Sequence, residues 1–236
     1  MRFLYIFPHP DDESFGPALA ISKQRRQGHE VFLLTLTRGE ATKMRLKLGY
    51  TREQMGEVRY REMQDVARTL NLNGMTVLNF PDSGLKELDP RELELAVQRE
   101  IQRREPDIVV TYPVHGISGF HDHLVTHAVV KRVFVEMRDH GASYLKRLAF
   151  FTLAETEEPQ EGIHHLSRST EEEVDCLFQV EEEDVQAFRQ ALDCYKTYQE
   201  VIEQTRVKEI ASREVAFEIY QENHTPPLGD LCEKLA

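Results

Sequence analysis

The stretch Pro8-His9-Pro10-Asp11-Asp12-Glu13-Ser14-Phe15-Gly16 sets one histidine just ahead of three consecutive acids. A histidine nitrogen and a carboxylate oxygen are two ligands for a hydrolytic metal ion, and an adjacent carboxylate is left to take a proton from metal-bound water. A competing reading makes Asp11 or Asp12 a helix N-cap, sets Glu13 against the helix dipole and leaves His9 in a loop. The string as a whole favours the metal. Two prolines stiffen the turn, and three acids crowded at one helix start repel one another unless a cation offsets them. A second dense stretch lies far downstream, where His115, His121, His123 and His127 gather in a chain with ten histidines. A hydrolytic zinc takes three protein ligands, one more than the first motif offers.

Both stretches follow buried-strand patterns. Phe3-Leu4-Tyr5-Ile6-Phe7 precedes the first, and a helical pattern opens at Pro17. Residues 31–36 read as a second strand, and strand, helix, strand at this spacing implies a parallel βαβ unit. Thr51 and Gln54 form a capping box for a helix to about Leu70, with Met55, Met63, Val66, Ala67 and Leu70 inward. Residues 75–80 make a third strand and residues 106–112 a fourth, which ends at the histidine cluster. Between them Asp89, Pro90 and Glu92 open a helix whose inner face is Leu93, Ala96, Val97 and Ile101. Residues 124–137 form an amphipathic helix, and residues 148–153 and 174–180 two further strands. A last helix turns Val185, Phe188, Leu192, Tyr195 and Val201 inward. The expected fold is α/β, a Rossmann-like, mostly parallel sheet flanked by helices, in one domain over residues 1–236. Ligands of such sheets bind beyond the carboxyl ends of the strands, where both stretches lie.

A chain of 236 residues and 27.5 kDa suffices for one sizeable α/β core. The opening apolar run is too short for a signal peptide, and no stretch reaches membrane-spanning length. Cys176, Cys194 and Cys232 are odd in number and widely spaced, which suggests neither a disulfide framework nor a thiolate metal site. A cytoplasmic protein is the expectation. The net charge of -12 argues against a nucleic-acid surface, though not against a small anionic substrate held by an arginine or two. Acidic runs at 155–161, 171–173 and 181–184 read as solvated faces, with 155–173 a loop excursion. Lys43, Arg45 and Lys47 mark a mobile surface segment, with an active-site lid the second choice.

Pro8-His9-Pro10-Asp11-Asp12-Glu13 resembles the N-terminal signature of the LmbE-like, PIG-L-type N-acetylglucosamine deacetylases, metal-dependent amide hydrolases with a Rossmann-like fold. Thr37-Arg38-Gly39-Glu40, Arg59-x-x-Glu62, Asp82-Ser83-Gly84 and Asp122-His123 are similar to later pieces of that family. The resemblance implies a metal site of His9, Asp12 and His123, holding Zn2+ with Fe2+ as the alternative, and Asp11 as general base. It sets Arg59 and Asp82 at the substrate and Asp122 behind a ligand, or at the N-cap of the following helix. The family's oxyanion-supporting histidine aligns with Phe120, so His121 or His115 takes that role. His127, one turn beyond His123, is a rival third ligand, and His29, His140, His164, His165 and His224 read as surface or loop residues. The implied substrate is a small N-acetylated amino-sugar conjugate. The opening is most similar to deacetylases of bacillithiol biosynthesis, which act on N-acetylglucosaminyl malate. One alternative is an amidase for a thiol conjugate, a chitooligosaccharide or an antibiotic precursor. The other is a non-catalytic Rossmann-like nucleotide-binding module, disfavoured because acids stand where glycines would cradle a pyrophosphate. No nucleic-acid or membrane partner is expected, and a homo-oligomer stays open.

Overall fold

The computed structural model describes residues 1–155, 166–209 and 213–235. Among these residues seven strands form one sheet: β1 (Arg2–Phe7), β2 (Glu30–Thr37), β3 (Gly74–Phe80), β4 (Ile108–Thr111), β5 (Arg147–Thr152), β6 (Cys176–Gln179) and β7 (Glu214–Ile219). Their order is β3-β2-β1-β4-β5-β7-β6. The first five are parallel, with Leu4 opposite Phe32 on one side and Val109 on the other. The expected mostly parallel α/β sheet is therefore present, and it carries an antiparallel end. β7 pairs antiparallel with both β5 and β6. The sequence reading has no strand at Glu214–Ile219. Val215, Phe217 and Ile219 feed the core there, and the small Ala216 and the charged Glu214 and Glu218 break the run.

The helices are α1 (Pro17–Arg26), α2 (Met44–Lys47), α3 (Arg52–Thr69), α4 (Pro90–Arg104), α5 (His121–Asp139), α6 (Glu182–Cys194) and α7 (Gln199–Thr205). Alternate strand residues feed two cores, which is why β1 is apolar at every position from Phe3 to Phe7. Phe3, Tyr5 and Phe7 pack with α1, α3 and α6, whereas Leu4 and Ile6 pack with α4 and α5. Among the described residues no helix is long and apolar enough to cross a membrane.

Local chemistry sets the boundaries that matter for the site. α1 starts at Pro17 with Gly16 as N-cap, so neither Asp11 nor Asp12 caps it. Gly16 has φ 132°, and a Cβ there would lie 2.4 Å from the Phe151 ring, so only glycine fits. The capping box of Thr51 and Gln54 opens α3 as expected. α5 begins three residues earlier than expected, with Phe120 as N-cap, which moves Asp122 from the cap into the first turn beside His123. The single last helix expected from sequence is broken at Tyr195 into α6, a 3-10 turn over Lys196–Tyr198, and α7. The basic segment contains the one-turn α2, whose Lys47 pairs with Glu200. Of the acidic excursion, residues 156–165 lie outside the described residues, and His164 and His165 with them.

Candidate active site

The strand order reverses between β1 and β4, and at their carboxyl ends the first motif meets the histidine loop. His9 Nδ1 lies 3.5 Å from Asp12 Oδ2, and His123 Nε2 lies 3.4 Å from Asp12 Oδ1. One ligand atom from each of the three residues lies within 4.8 Å of the others. A tetrahedral zinc with bonds of about 2.05 Å spaces its ligands by about 3.3 Å, so the donor spacing suits a metal. The far side of each ring is already committed. His123 Nδ1 faces the Gly116 carbonyl at 2.9 Å and Ser118 Oγ at 3.2 Å, and His9 Nε2 faces Asp122 Oδ2 at 3.1 Å and Asp82 Oδ1 at 3.3 Å. With those nitrogens donating, His9 Nδ1 and His123 Nε2 are the ring nitrogens turned toward Asp12. Gly116, at φ 64°, permits the close approach, since a Cβ there would come within 2.9 Å of His123 Cβ. Two imidazoles and one carboxylate suit zinc or ferrous iron.

Buried charge around the three residues points the same way. Asp12 is 5% exposed. Burial alone would raise its carboxyl, but His123, His9 and the Tyr112 hydroxyl, which donates to Oδ1 at 2.7 Å, hold it below the usual range. Burial disfavours charge on His9 as well, yet Asp12, Asp122 and Asp82 outweigh it and push the ring up to about 10. The proton His9 keeps is the positive charge these carboxylates demand, and a divalent ion would replace it. Burial lowers His123, which stays neutral and able to ligate. Asp122 is held by the backbone N–H groups of Ser83 at 2.8 Å and Leu85 at 3.2 Å, and so fixes His9 from behind.

Asp11 stands beside the ligand group with a different environment. Its Oδ2 accepts from Arg59 Nη2 at 2.6 Å, and the same nitrogen donates to the Pro10 carbonyl at 2.8 Å. Burial pushes its carboxyl up to about 6, with Arg59 opposing and Asp12 adding to the rise. A carboxylate tuned toward neutrality suits a general base. Arg59, expected at the substrate, is 1% exposed between the rings of Tyr195 and Tyr198, at 5.5 and 4.4 Å, with Nη2 on Asp11. Asp82, expected at sugar hydroxyls, is buried and accepts from Ala41 N at 2.7 Å while facing His9.

The two histidines expected at the oxyanion are not brought into the ligand group. His121 is exposed at the first position of α5. His115 Nδ1 accepts from the Ile117 amide at 3.1 Å, so Nε2 carries the proton and gives it to Ser169 Oγ at 3.3 Å. Phe120 sets its ring edge-on to His123 at 5.7 Å. The rival ligand His127 spends Nδ1 on the Tyr112 carbonyl at 2.8 Å, packs on Phe150 and lies outside the ligand group. Sequence reasoning missed Tyr112, which stacks on His123 at 4.3 Å and 7°, and, though it turned Tyr195 inward, it missed the bond from the Asp11 amide to the Tyr195 hydroxyl. The only signal for Tyr112 is its place at the end of the β4 run.

Residues 4–134 match the model of the PIG-L family, GlcNAc-PI de-N-acetylase, over more than half of the chain. The chain belongs to this family. The matched part holds His9, Asp11, Asp12, Arg59, Asp82, Asp122 and His123, while Tyr195 lies beyond it. A mycothiol S-conjugate amidase of Streptomyces coelicolor is 28% identical over 70% of this chain and 65% of its own length. A probable N-acetyl-alpha-D-glucosaminyl L-malate deacetylase 2 of Bacillus subtilis is 31% identical over 50% of this chain and 55% of its own. The chain thus spans less than two thirds of either relative. In structure, the zinc-inhibited form of teicoplanin deacetylase Orf2 superposes with a TM-score of 0.69 at 13% identity, covering 93% of this chain and 97% of that one. That likeness shows a shared fold, and function has to be argued from the site.

Proposed function

We propose that this PIG-L-family protein is a metal-dependent N-deacetylase that removes acetyl from a small N-acetylglucosaminyl conjugate, with N-acetylglucosaminyl malate the first substrate to test. The observation that carries the reading is the convergence of His9, Asp12 and His123 with Asp11 beside them and free of the ligand set. Zinc, or ferrous iron, when bound would polarise the acetyl carbonyl and acidify a water. Asp11 takes the water proton and returns it to the departing amine, so its carboxylate must be ionised at the start of each turnover. Arg59 keeps that carboxylate charged and aimed. Asp122 orients His9, and Tyr112 orients both Asp12 and His123. Phe120 has no donor for the acyl oxygen and His115 is committed to Ser169, which leaves His121 for that role.

The reading treats residues 1–236 as one deacetylase domain working in the cytoplasm on a small molecule. A second reading, cleavage of a thiol-conjugate amide, is favoured by the longer match to the Streptomyces amidase. Amine release from N-acetylglucosaminyl malate, N-acetylglucosamine and a mycothiol-type S-conjugate, with zinc or ferrous iron supplied, separates the two. Asp11→Asn should abolish release while the protein still binds metal. Release undiminished in that variant would refute the assignment of the base.

A further inference from the structure

Asp11 is held by residues that lie far from it in sequence, and only part of that hold belongs to the family's matched segment. Its backbone has φ 84°, a conformation that residues with a side chain rarely adopt. Such a conformation persists only where its surroundings over-determine it. Within the turn, the amides of Ser14 and Phe15 both donate to the Asp11 carbonyl, at 2.7 and 3.0 Å. From outside the turn, the Asp11 amide donates to the Tyr195 hydroxyl at 2.8 Å, and that hydroxyl donates in turn to Glu13 Oε1 at 2.7 Å. Tyr195 is fully buried at the break between α6 and the 3-10 turn. The break has its own anchor. Thr197 gives both its amide and its hydroxyl to the two oxygens of Glu62, each at 2.7 Å, and Gln199 Nε2 closes on the carbonyls of Leu192 and Tyr195 at 3.0 and 2.9 Å. Glu62 lies one helical turn from Arg59 on α3, so one face of one helix holds the Asp11 side chain directly and the Asp11 amide through Tyr195.

We infer that Tyr195 and Glu62 are positioning residues that, together with Arg59, lock the backbone and carboxylate of Asp11 in the orientation its chemistry requires. The inference rests on Asp11 being the base of the proposed reaction. Tyr195 supplies the acceptor for an amide that the left-handed turn points inward, and Glu62 fixes the helix break that delivers the phenol. Arg59 and Glu62 then work as a pair through different partners, which accounts for both charges of Arg59-x-x-Glu62 being buried in α3.

Tyr195→Phe in the full chain removes the hydroxyl and keeps the ring, and Thr197→Val removes one of the two bonds to Glu62. In metal-loaded protein, Tyr195→Phe should lower kcat by about 10²-fold with KM and bound metal per chain unchanged, because the base is misplaced while binding is not. Thr197→Val should lower kcat by about tenfold, and it carries the test if the tyrosine variant does not fold. By amide hydrogen exchange, the Asp11 N–H of Tyr195→Phe should exchange at least about tenfold faster than in the native protein, with the β1 amides unchanged. Unchanged exchange at Asp11, an unchanged kcat, or a rise in KM at native kcat each overturns the inference. If the native protein cleaves no acetylated sugar, the deacetylase reading fails by itself. The exchange measurement then still decides whether Tyr195 holds Asp11.

Discussion

Glu13 offers a sharp test of how charge is buried beside the site. It is fully buried; one oxygen accepts from Ser14 Oγ at 2.6 Å and from Tyr195 at 2.7 Å, and the other has no partner. Burial pushes its carboxyl from 4.5 up to about 7, against the bonds from Ser14 and Tyr195 and with help from Asp11. That rise corresponds to about 3 kcal/mol between the charged and neutral forms. Below pH 4.5 the folded and unfolded chains both hold the proton and nothing is lost. Between 4.5 and about 7 only the folded chain keeps it, so stability falls as pH rises, and above 7 the whole cost persists. Glu13→Gln has no proton to lose and keeps an acceptor for Ser14 and Tyr195. Its amide nitrogen meets the unpartnered side at a pH-independent cost of about 1–3 kcal/mol. Urea denaturation of metal-free native and variant protein between pH 5 and 8 measures the difference. The variant should gain on the native protein by about 2–3 kcal/mol across that range. A difference that stays constant with pH would refute the reasoning, because a carboxyl neutral at acid pH and charged at alkaline pH cannot give one.

Three further outcomes follow from the geometry. Asp122→Ala leaves His9 Nε2 with Asp82 alone and takes the acceptor from the Ser83 and Leu85 amides, and should weaken metal binding by about 10–100-fold in a chelator competition; an unchanged affinity would mean that Asp82 suffices to orient His9. With His121 serving the acyl oxygen, Phe120→His beside His123 adds a second donor and should leave kcat within about threefold, whereas a rise of about 10²-fold would show that His121 does not fill that role. Because His9 holds its proton up to about pH 10, metal uptake must expel it, so affinity should climb about tenfold per pH unit from 7 to 9, with about one proton released per ion in calorimetry. A flat profile would mean that His9 is not a ligand.

The parts of the fold that read plainly from sequence are those buried on both faces. β1, β2 and β4 are nearly continuous apolar runs, and the capping residues Thr51 and Asp89 mark helix starts by local chemistry alone. β7 was hidden because Glu214 and Glu218 interrupt a short run whose large apolar residues are only Val215, Phe217 and Ile219, and the break at Tyr195 because tertiary contacts with Glu62 and Glu13 decide it. In the site, His9, Asp12 and His123 stand out since few residue types bind metal and they cluster at strand ends. The directions of Arg59 and Asp82 did not, because a polar residue near a site can face the ligand or brace a neighbour, and spacing does not distinguish the two. Arg59 braces Asp11, and Asp82 braces His9 and the Ala41 amide.

The place of β7 has a consequence for the order in which the molecule becomes complete. Among the described residues β6 joins the sheet through β7, which lies between it and β5. As the chain leaves the ribosome, the parallel strands and the loop bearing His123 can assemble once β5 has emerged. β6 docks when residues 214–219 follow, whereas α6 and the Tyr195 turn already meet α1, α3 and the first motif. His9, Asp12, Arg59 and His123 all precede β5 in the chain and Tyr195 follows it, so the hold that Tyr195 has on the Asp11 amide is the last to be added around these residues.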